Sequence, residues 1–139
     1  MALPSLLALY CVKRKKKDKI IVSINPRHVN NIINEPKRYE YRTRIASKDV
    51  NKLLIYETAP IEMVVAEVDV IEVLSLDPNT LWEQTKDYSG ISKEFFGEYF
   101  KNRSVAYAYK LGKVKVYDEP KSLIEFGLRT APQSFAYAR

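Results

Sequence analysis

The stretch EPKRYEYRTR, from Glu35 to Arg44, decides the fold because it joins the alternation of a β-strand to an unusual density of charge. Its ten residues include four cations, two acids and two tyrosines. β-prone tyrosines at alternate positions favour a strand over a polar tail. A period of two then makes one face wholly charged, with Arg38, Glu40, Arg42 and Arg44. The opposite face carries Lys37, Tyr39, Tyr41 and Thr43.

Two interpretations of the charged face are open. In the first, the face is solvated, and its cations partly neutralise Glu40 and discourage pairing at a sheet edge. In the second, Glu40 accepts hydrogen bonds from the guanidinium of Arg38 or Arg42 and holds that planar group fixed. A fixed arginine is a good donor to a phosphate or a base edge, and Lys37 at the start of the strand adds a mobile point charge.

The composition favours one domain with an acidic partner. The chain has 139 residues and a net charge of +6, so a phosphate-bearing ligand is more probable than for a neutral domain. KRKKKDK near the start holds six of the cations, five of them within residues 1–18, and we interpret residues 1–18 as a basic leader and residues 19–139 as the domain. The apolar opening of the leader is too short to span a bilayer, so we expect no membrane partner, and a short membrane-touching helix with a basic flank is the alternative.

The single cysteine and single histidine narrow the classes of site. Cys11 excludes an internal disulfide framework and fits the reducing cytoplasm, where we place the protein. With only His28, a histidine and cysteine zinc site is implausible, and no metal site or cofactor is indicated. His28 lies among asparagines, and we expect it at the surface rather than in catalysis.

Periodicity along the chain predicts an α+β fold. A strand at residues 19–24 leads into a helix with Asn25 as its cap and Pro26 at its first position. Residues 77–102 predict a helical pair broken at Gly90, whose apolar face includes Phe95 and Tyr99. The long strand at residues 61–76 changes phase as a β-bulge would produce, and Gly112 predicts a hairpin turn. About six strands flanked by helices favour a small barrel.

Four segments of the chain resemble the ASCH family, part of the PUA-like barrel superfamily. The family signature is a lysine, a glutamate three residues on and an arginine two beyond, which Lys37, Glu40 and Arg42 match. The segments LLIYETAP, SGISKEFFGEYF and APQSFAYAR are similar to the family's tyrosine-ended strand, helical insert and terminal run. The glycine usual two residues before the lysine is Glu35 here. The resemblance covers roughly residues 19–138.

The resemblance implies a PUA-like barrel with a cleft in which Lys37, Glu40 and Arg42 face Gln133 and Ser134. RNA or a nucleotide-like ligand is the implied occupant, in RNA metabolism or in transcriptional or translational regulation. The chemistry of the residues agrees, because cations suit phosphates, and amides and hydroxyls suit base and sugar edges. Tyr39 and Tyr56 are candidates for stacking on a base, although each also suits ordinary packing. Gln133 and Ser134 also suit simple satisfaction of backbone groups.

Catalysis is the alternative function. Some branches of the superfamily are amidohydrolases or nucleases that act on RNA or modified nucleosides. The amidohydrolase branch uses a threonine nucleophile, and that position is Glu40 here. A metal-independent nuclease would use Lys37 against phosphate charge and Tyr56 or Ser134 to position a ribose hydroxyl. A third hypothesis, suggested by eukaryotic relatives, is a protein-interaction domain.

Overall fold

A computed structural model describes residues 18–34, 37–46 and 49–138. The strands of the described residues are β1 (Asp18–Ile24), β2 (Tyr39–Arg42), β3 (Val50–Glu57), β4 (Met63–Leu76), β5 (Ala106–Lys121) and β6 (Phe135–Tyr137). The α-helices are α1 (Pro26–Asn34), α2 (Pro78–Thr85) and α3 (Lys93–Tyr99). Short 3-10 helices occupy Lys86–Tyr88 and Leu123–Phe126. The predicted α+β class with about six strands is confirmed.

The six strands form one curled sheet, a half-barrel, in the order β2-β5-β4-β3-β1-β6. β1 pairs with β3 in parallel, and the other neighbouring strands pair antiparallel. β2 and β6 therefore lie at the two open edges of the sheet. The segments that carry the family signature and the terminal run are brought to these edges.

Buried apolar side chains hold the helices against the sheet. α1 buries Val29 and Ile32 in a core with β-branched residues of β1 and β3. α2 and α3 bury Leu81, Phe96 and Phe100 in a second cluster with residues of β2 and β5. This second cluster fixes α3 beside β2, which is what places a helix over the signature segment.

The local stop and start signals of the helices behave as expected. The side chain of Asn25 accepts from the His28 amide at 3.1 Å and begins α1. Asp77 accepts from the Thr80 amide at 3.0 Å and begins α2, with Pro78 at its first position. Gly90 has a φ of 70° and separates the two helices, and Ser92 begins α3. The helical pair and its break are confirmed.

The long strands confirm one prediction and overturn another. β4 has register irregularities between Val68 and Val70 and between Val70 and Glu72, where a bulge was predicted. The hairpin at Gly112 is wrong, because β5 runs through that residue from Ala106 to Lys121. A Cβ on Gly112 would lie 3.0 Å from Cγ1 of Ile71, so glycine there allows the close approach of β4 instead of a turn.

Several predictions lie outside the described residues. These are the first 17 residues of the leader predicted at residues 1–18, and the position of Glu35, where the family has a glycine. Asp18, the last residue of the predicted leader, begins β1. The predicted strand at residues 37–44 is shorter in the structure, since β2 begins at Tyr39 and ends at Arg42.

Across the described part of the chain, the helices are all too short or too polar to cross a bilayer.

Candidate functional site

A cavity of about 210 Å³ lies where the end of β1, the start of α1, β2 and α3 meet. We call it the cleft. It is lined by Ser23, Ile24, Asn25, His28, Lys37, Glu40, Tyr41, Arg42, Ile91, Phe95 and Tyr99. The three residues of the family signature are therefore gathered at one hollow. The alternative of a face turned wholly toward bulk solvent does not describe Lys37 and Glu40, which are both buried.

Lys37 is a buried cation at the base of the cleft. Its side chain is 2% exposed, and its Nζ donates to the carbonyl oxygen of Ser89 at 2.7 Å. The same Nζ lies 5.2 Å from the centre of the Tyr41 ring. Burial lowers the pKa of the Lys37 ammonium, and Arg42 lowers it further, while Glu40 opposes them. An anion placed here would restore the stability of the charged form.

Glu40 and Arg42 form the ion pair expected from their spacing. The Nη2 atom of Arg42 lies 2.9 Å from Oε2 of Glu40 and donates at 3.0 Å to the carbonyl oxygen of Ser23. Its Nη1 atom donates to the carbonyl oxygen of Ser134 at 3.5 Å. The buried Nε of Arg42 makes no hydrogen bond among the described residues. The guanidinium is thus fixed, with one donor still unsatisfied.

His28 contributes an imidazole to the wall of the cleft. Its Nδ1 is buried and has no hydrogen-bond partner within the described ranges. Burial is the main cause that lowers the pKa of His28, and the nearby charge of Lys37 adds to it. The imidazole is therefore held neutral at pH 7. The expected surface role is corrected, because the first turn of α1 points this side chain inward.

Two aromatic rings stand at the mouth of the cleft. Phe95 is 51% exposed and Tyr99 is 37% exposed, one turn apart on α3. Their ring centres lie 6.3 Å apart with an interplanar angle of 11°. His28 meets Phe95 edge-on at 5.9 Å. The cleft therefore has a charged base and an aromatic rim.

The other predicted site residues are placed differently. Tyr39 lines a separate hollow on the far side of the signature segment. Tyr56 is buried, packs with Ile21, Leu54 and Val64, and borders a third hollow. Gln133 is exposed and does not line the cleft, and Ser134 reaches it only through its carbonyl oxygen. The structure does not bring the catalytic candidates Tyr56 and Ser134 together with Lys37 as side chains.

The alternation of a strand predicted the wrong face for Lys37, and the apolar periodicity of the helical insert did not predict that Phe95 and Tyr99 line the cleft. Lys37 precedes β2, so its direction is not set by alternation, and it joins Glu40 and Arg42 instead of the opposite face. The sequence placed Phe95 and Tyr99 with the packed face of the helical insert. Their spacing of four residues was the available signal, because it gives them a shared strip of α3.

The acids of the described residues do not gather into a metal site. Within residues 18–34, 37–46 and 49–138, no three His, Cys, Asp or Glu side chains are placed to hold an ion together. In the cleft, Glu40 is already paired with Arg42.

The fold is that of an ASCH domain, which confirms the resemblance found in the sequence. The crystal structure of ASCH from Zymomonas mobilis superposes with a TM-score of 0.76 at 24% identity, covering 88% of both chains. A serine-to-alanine mutant of that protein superposes with a TM-score of 0.77 at 23% identity, covering 88% of this chain and 89% of the other.

The chain belongs to a family described as a domain of unknown function, DUF365, whose profile matches residues 19–128. Curated relatives include ATP synthase subunit alpha of Ureaplasma parvum serovar 3, 30% identical over 130 residues and 92% of this chain. Large ribosomal subunit protein uL22 of the same organism is 27% identical over 124 residues and 88% of this chain. The chain spans only 16% of the first relative and 40% of the second.

Proposed function

We propose that this protein binds RNA or a nucleotide in the cleft, as a cytoplasmic RNA-binding domain. The observation that carries the proposal is the pairing of a buried lysine and a fixed arginine with a single carboxylate. Lys37 and Arg42 together exceed the charge of Glu40, and burial strengthens their attraction to an anion. A phosphate entering the cleft would supply the missing negative charge and a partner for the free Nε of Arg42.

The aromatic rim supports a nucleotide over a simple anion. A base stacked on an exposed aromatic ring contributes about 1–3 kcal/mol and needs no particular sequence. Phe95 and Tyr99 offer such exposed rings in the lining of the same cleft as the cations. Single-stranded RNA is recognised by this combination of aromatic faces and cations.

The size of the cleft limits what enters it. Ligand pockets usually enclose at least about 300 Å³. The cleft encloses about 210 Å³, so it accepts part of a ligand, such as one base or one phosphate with its ribose. The rest of the ligand then lies outside it. The relative named as a ribosomal protein is consistent with an RNA environment, although the ATP synthase relative is not, so the proposal rests on the cleft.

The test is the substitution Lys37→Met, which keeps the aliphatic packing of the side chain and removes its charge. We expect affinity for short single-stranded RNA to fall at least about tenfold, the value of one lost charged hydrogen bond. Fluorescence anisotropy would measure binding and urea denaturation would measure stability. The control is Lys101→Met, which removes an exposed charge outside the cleft. Equal binding by Lys37→Met and wild type would remove the proposal.

Hydrolysis of RNA or a modified nucleoside is the second candidate function. It is favoured by the lowered pKa values of Lys37 and His28, because a general base must be free of its proton near the working pH. Both groups lie in the same cleft. Product formation by wild type but not by Lys37→Met, from the same RNA samples, would select this candidate over simple binding.

A further inference from the structure

A second hollow lies beside the cleft, and the proposed function does not use it. It is open, encloses about 880 Å³ against about 210 Å³ for the cleft, and is bordered by α1, β5 and the residues before β2. Its cations are Arg38, Lys110 and Lys113. Among the described residues that line it, there is no Asp or Glu. We call it the basic hollow.

The cations of the basic hollow are available to a ligand. Arg38 and Lys113 are exposed, and Lys110 is half-buried. Among the residues that the structure describes, none of the three takes part in an ion pair. Glu72 is the partner of Lys110 in the β4 and β5 register, but it does not line the hollow. The surface therefore offers uncompensated positive charge to an anion.

Large side chains with apolar surface line the same hollow as these cations. Tyr88 is 54% exposed and Ile71 is 63% exposed, and both line the basic hollow together with Tyr39. Cations interleaved with aromatic rings are the surface on which single-stranded nucleic acids bind, with phosphates on the cations and bases on the rings. An acidic peptide would use the cations but has no bases to cover the two tyrosines.

The basic hollow and the cleft share a wall. Lys37 and Arg38 are consecutive, and Lys37 lines the cleft while Arg38 lines the basic hollow. The wall is held together by hydrogen bonds to a second pair of consecutive residues, because Nζ of Lys37 donates to the carbonyl oxygen of Ser89 at 2.7 Å and the amide of Arg38 donates to that of Tyr88 at 2.8 Å. The two hollows are therefore neighbours through the consecutive residues Lys37 and Arg38.

We propose that the basic hollow binds the nucleotides adjoining the one held in the cleft, so that the ligand is an RNA strand and not a free nucleotide. This inference rests on the proposed function and names the class of its ligand. Arg38, Lys110 and Lys113 contact backbone phosphates, and Tyr88 and Tyr39 stack on bases. Phosphate contacts position the strand without reading its sequence, so the preference of the hollow is for length and charge.

The test compares a single-stranded RNA of about ten nucleotides with the four ribonucleoside monophosphates, across a series of salt concentrations. The variant combines Arg38→Ala, Lys110→Ala and Lys113→Ala. Each phosphate contact to a single strand contributes about 0.7 to the slope of log affinity against log salt, so the slope should fall by roughly 2. Affinity for the RNA should fall roughly tenfold or more at physiological salt, and affinity for the monophosphates should not change.

The matched control combines Lys101→Ala, Arg103→Ala and Lys115→Ala, which removes one arginine and two lysines that are exposed and line neither hollow. It should bind like wild type. A single Lys113→Glu variant checks the result if the triple variant unfolds, and thermal denaturation of every variant reports folding. Lys113→Glu should weaken RNA binding more than Lys101→Glu.

The outcomes separate this inference from the proposed function. RNA binding that is unchanged in the triple variant, or lowered equally in the control, overturns the inference. Wild type that binds monophosphates as tightly as the RNA overturns it and leaves the proposed function standing. Wild type that binds neither overturns both. Displacement by an acidic peptide with no RNA binding would assign the basic hollow to a protein partner and also overturn it.

Discussion

At the scale of single residues, the unusual feature is a buried lysine, Lys37, at a position where an apolar side chain would cost less free energy to bury. Burying an ammonium costs several kcal/mol unless it is compensated. Lys37 has the Ser89 carbonyl oxygen, the Tyr41 ring and the charge of Glu40 to offset that cost. Burial nevertheless lowers the pKa of Lys37. Stability alone gives no reason to keep the charge, whereas anion binding does.

Gly90 is the residue that allows Lys37 its position. A Cβ at Gly90 would lie 2.6 Å from Cγ and 2.8 Å from Cβ of Lys37, which is too close for any real contact. Its φ of 70° also disfavours other residues by about 1–2 kcal/mol. We therefore expect Gly90→Ala to lower the free energy of unfolding by at least that amount and to weaken RNA binding by displacing Lys37, as measured by urea denaturation and fluorescence anisotropy.

Gly97 provides the control for this prediction. It lies inside α3 with no atom within 4 Å of an added Cβ. Gly97→Ala should raise the free energy of unfolding by up to about 1 kcal/mol through helix propensity, and leave binding unchanged. If Gly90→Ala bound RNA as wild type does, Lys37 would not need its observed position.

At the scale of elements, α3 links the stability of the fold to the cleft. One face of α3 buries Phe96 in the second core cluster. A neighbouring face carries Phe95 and Tyr99, which line the cleft. The Ser92 hydroxyl accepts from the Phe95 amide at 3.0 Å, so the helix cap holds the first rim residue directly. The Ser92 cap is therefore one of the contacts that hold the rim in place.

Removing that hydroxyl gives the prediction for this element. Ser92→Ala should lower the free energy of unfolding by about 1 kcal/mol, as loss of a helix cap does, and loosen the turn that carries Phe95. RNA affinity should fall with it, measured by fluorescence anisotropy beside urea denaturation. Ser92→Asp keeps an acceptor at the cap and should restore both. If Ser92→Ala lost stability but kept its full affinity for RNA, the rim would not be part of the binding site.

Elements were predictable from sequence where local chemistry sets them. The caps at Asn25, Asp77 and Ser92 act on their own helices, so their positions follow from a few neighbouring residues. Gly112 was wrongly predicted to form a hairpin turn, because what requires a glycine there is the close approach of the Ile71 side chain on another strand. In the same way, the alternation of residues 37–44 did not reveal where β2 starts, so Lys37 was assigned to the wrong face. The rim was missed because burial of α3 is decided by tertiary packing.

At the scale of the whole molecule, Arg42 connects the two open edges of the half-barrel. It lies on edge strand β2, yet it donates to Ser23 in β1 and to Ser134 just before edge strand β6. No backbone pairing joins β2 to β1 or β6 among the described residues. The side-chain hydrogen bonds of the Arg42 guanidinium therefore link the two edges of the sheet where backbone hydrogen bonds do not. Arg42 thus has a structural role beside its proposed role in ligand binding, which is a double role.

This double role predicts that Arg42→Ala destabilises the protein as well as weakening RNA binding. Removing one member of a buried pair leaves Glu40 uncompensated, which costs about 3–5 kcal/mol, a large part of the total stability of a domain. Urea denaturation should show that Arg42→Ala is less stable than the triple variant Lys37→Met/Glu40→Gln/Arg42→Met, because the triple variant removes the whole group of buried charges and leaves none without a partner. The triple variant should still fail to bind RNA. A single variant as stable as wild type would mean that Arg42 does not hold the edges together, and that the half-barrel keeps its shape through its core alone.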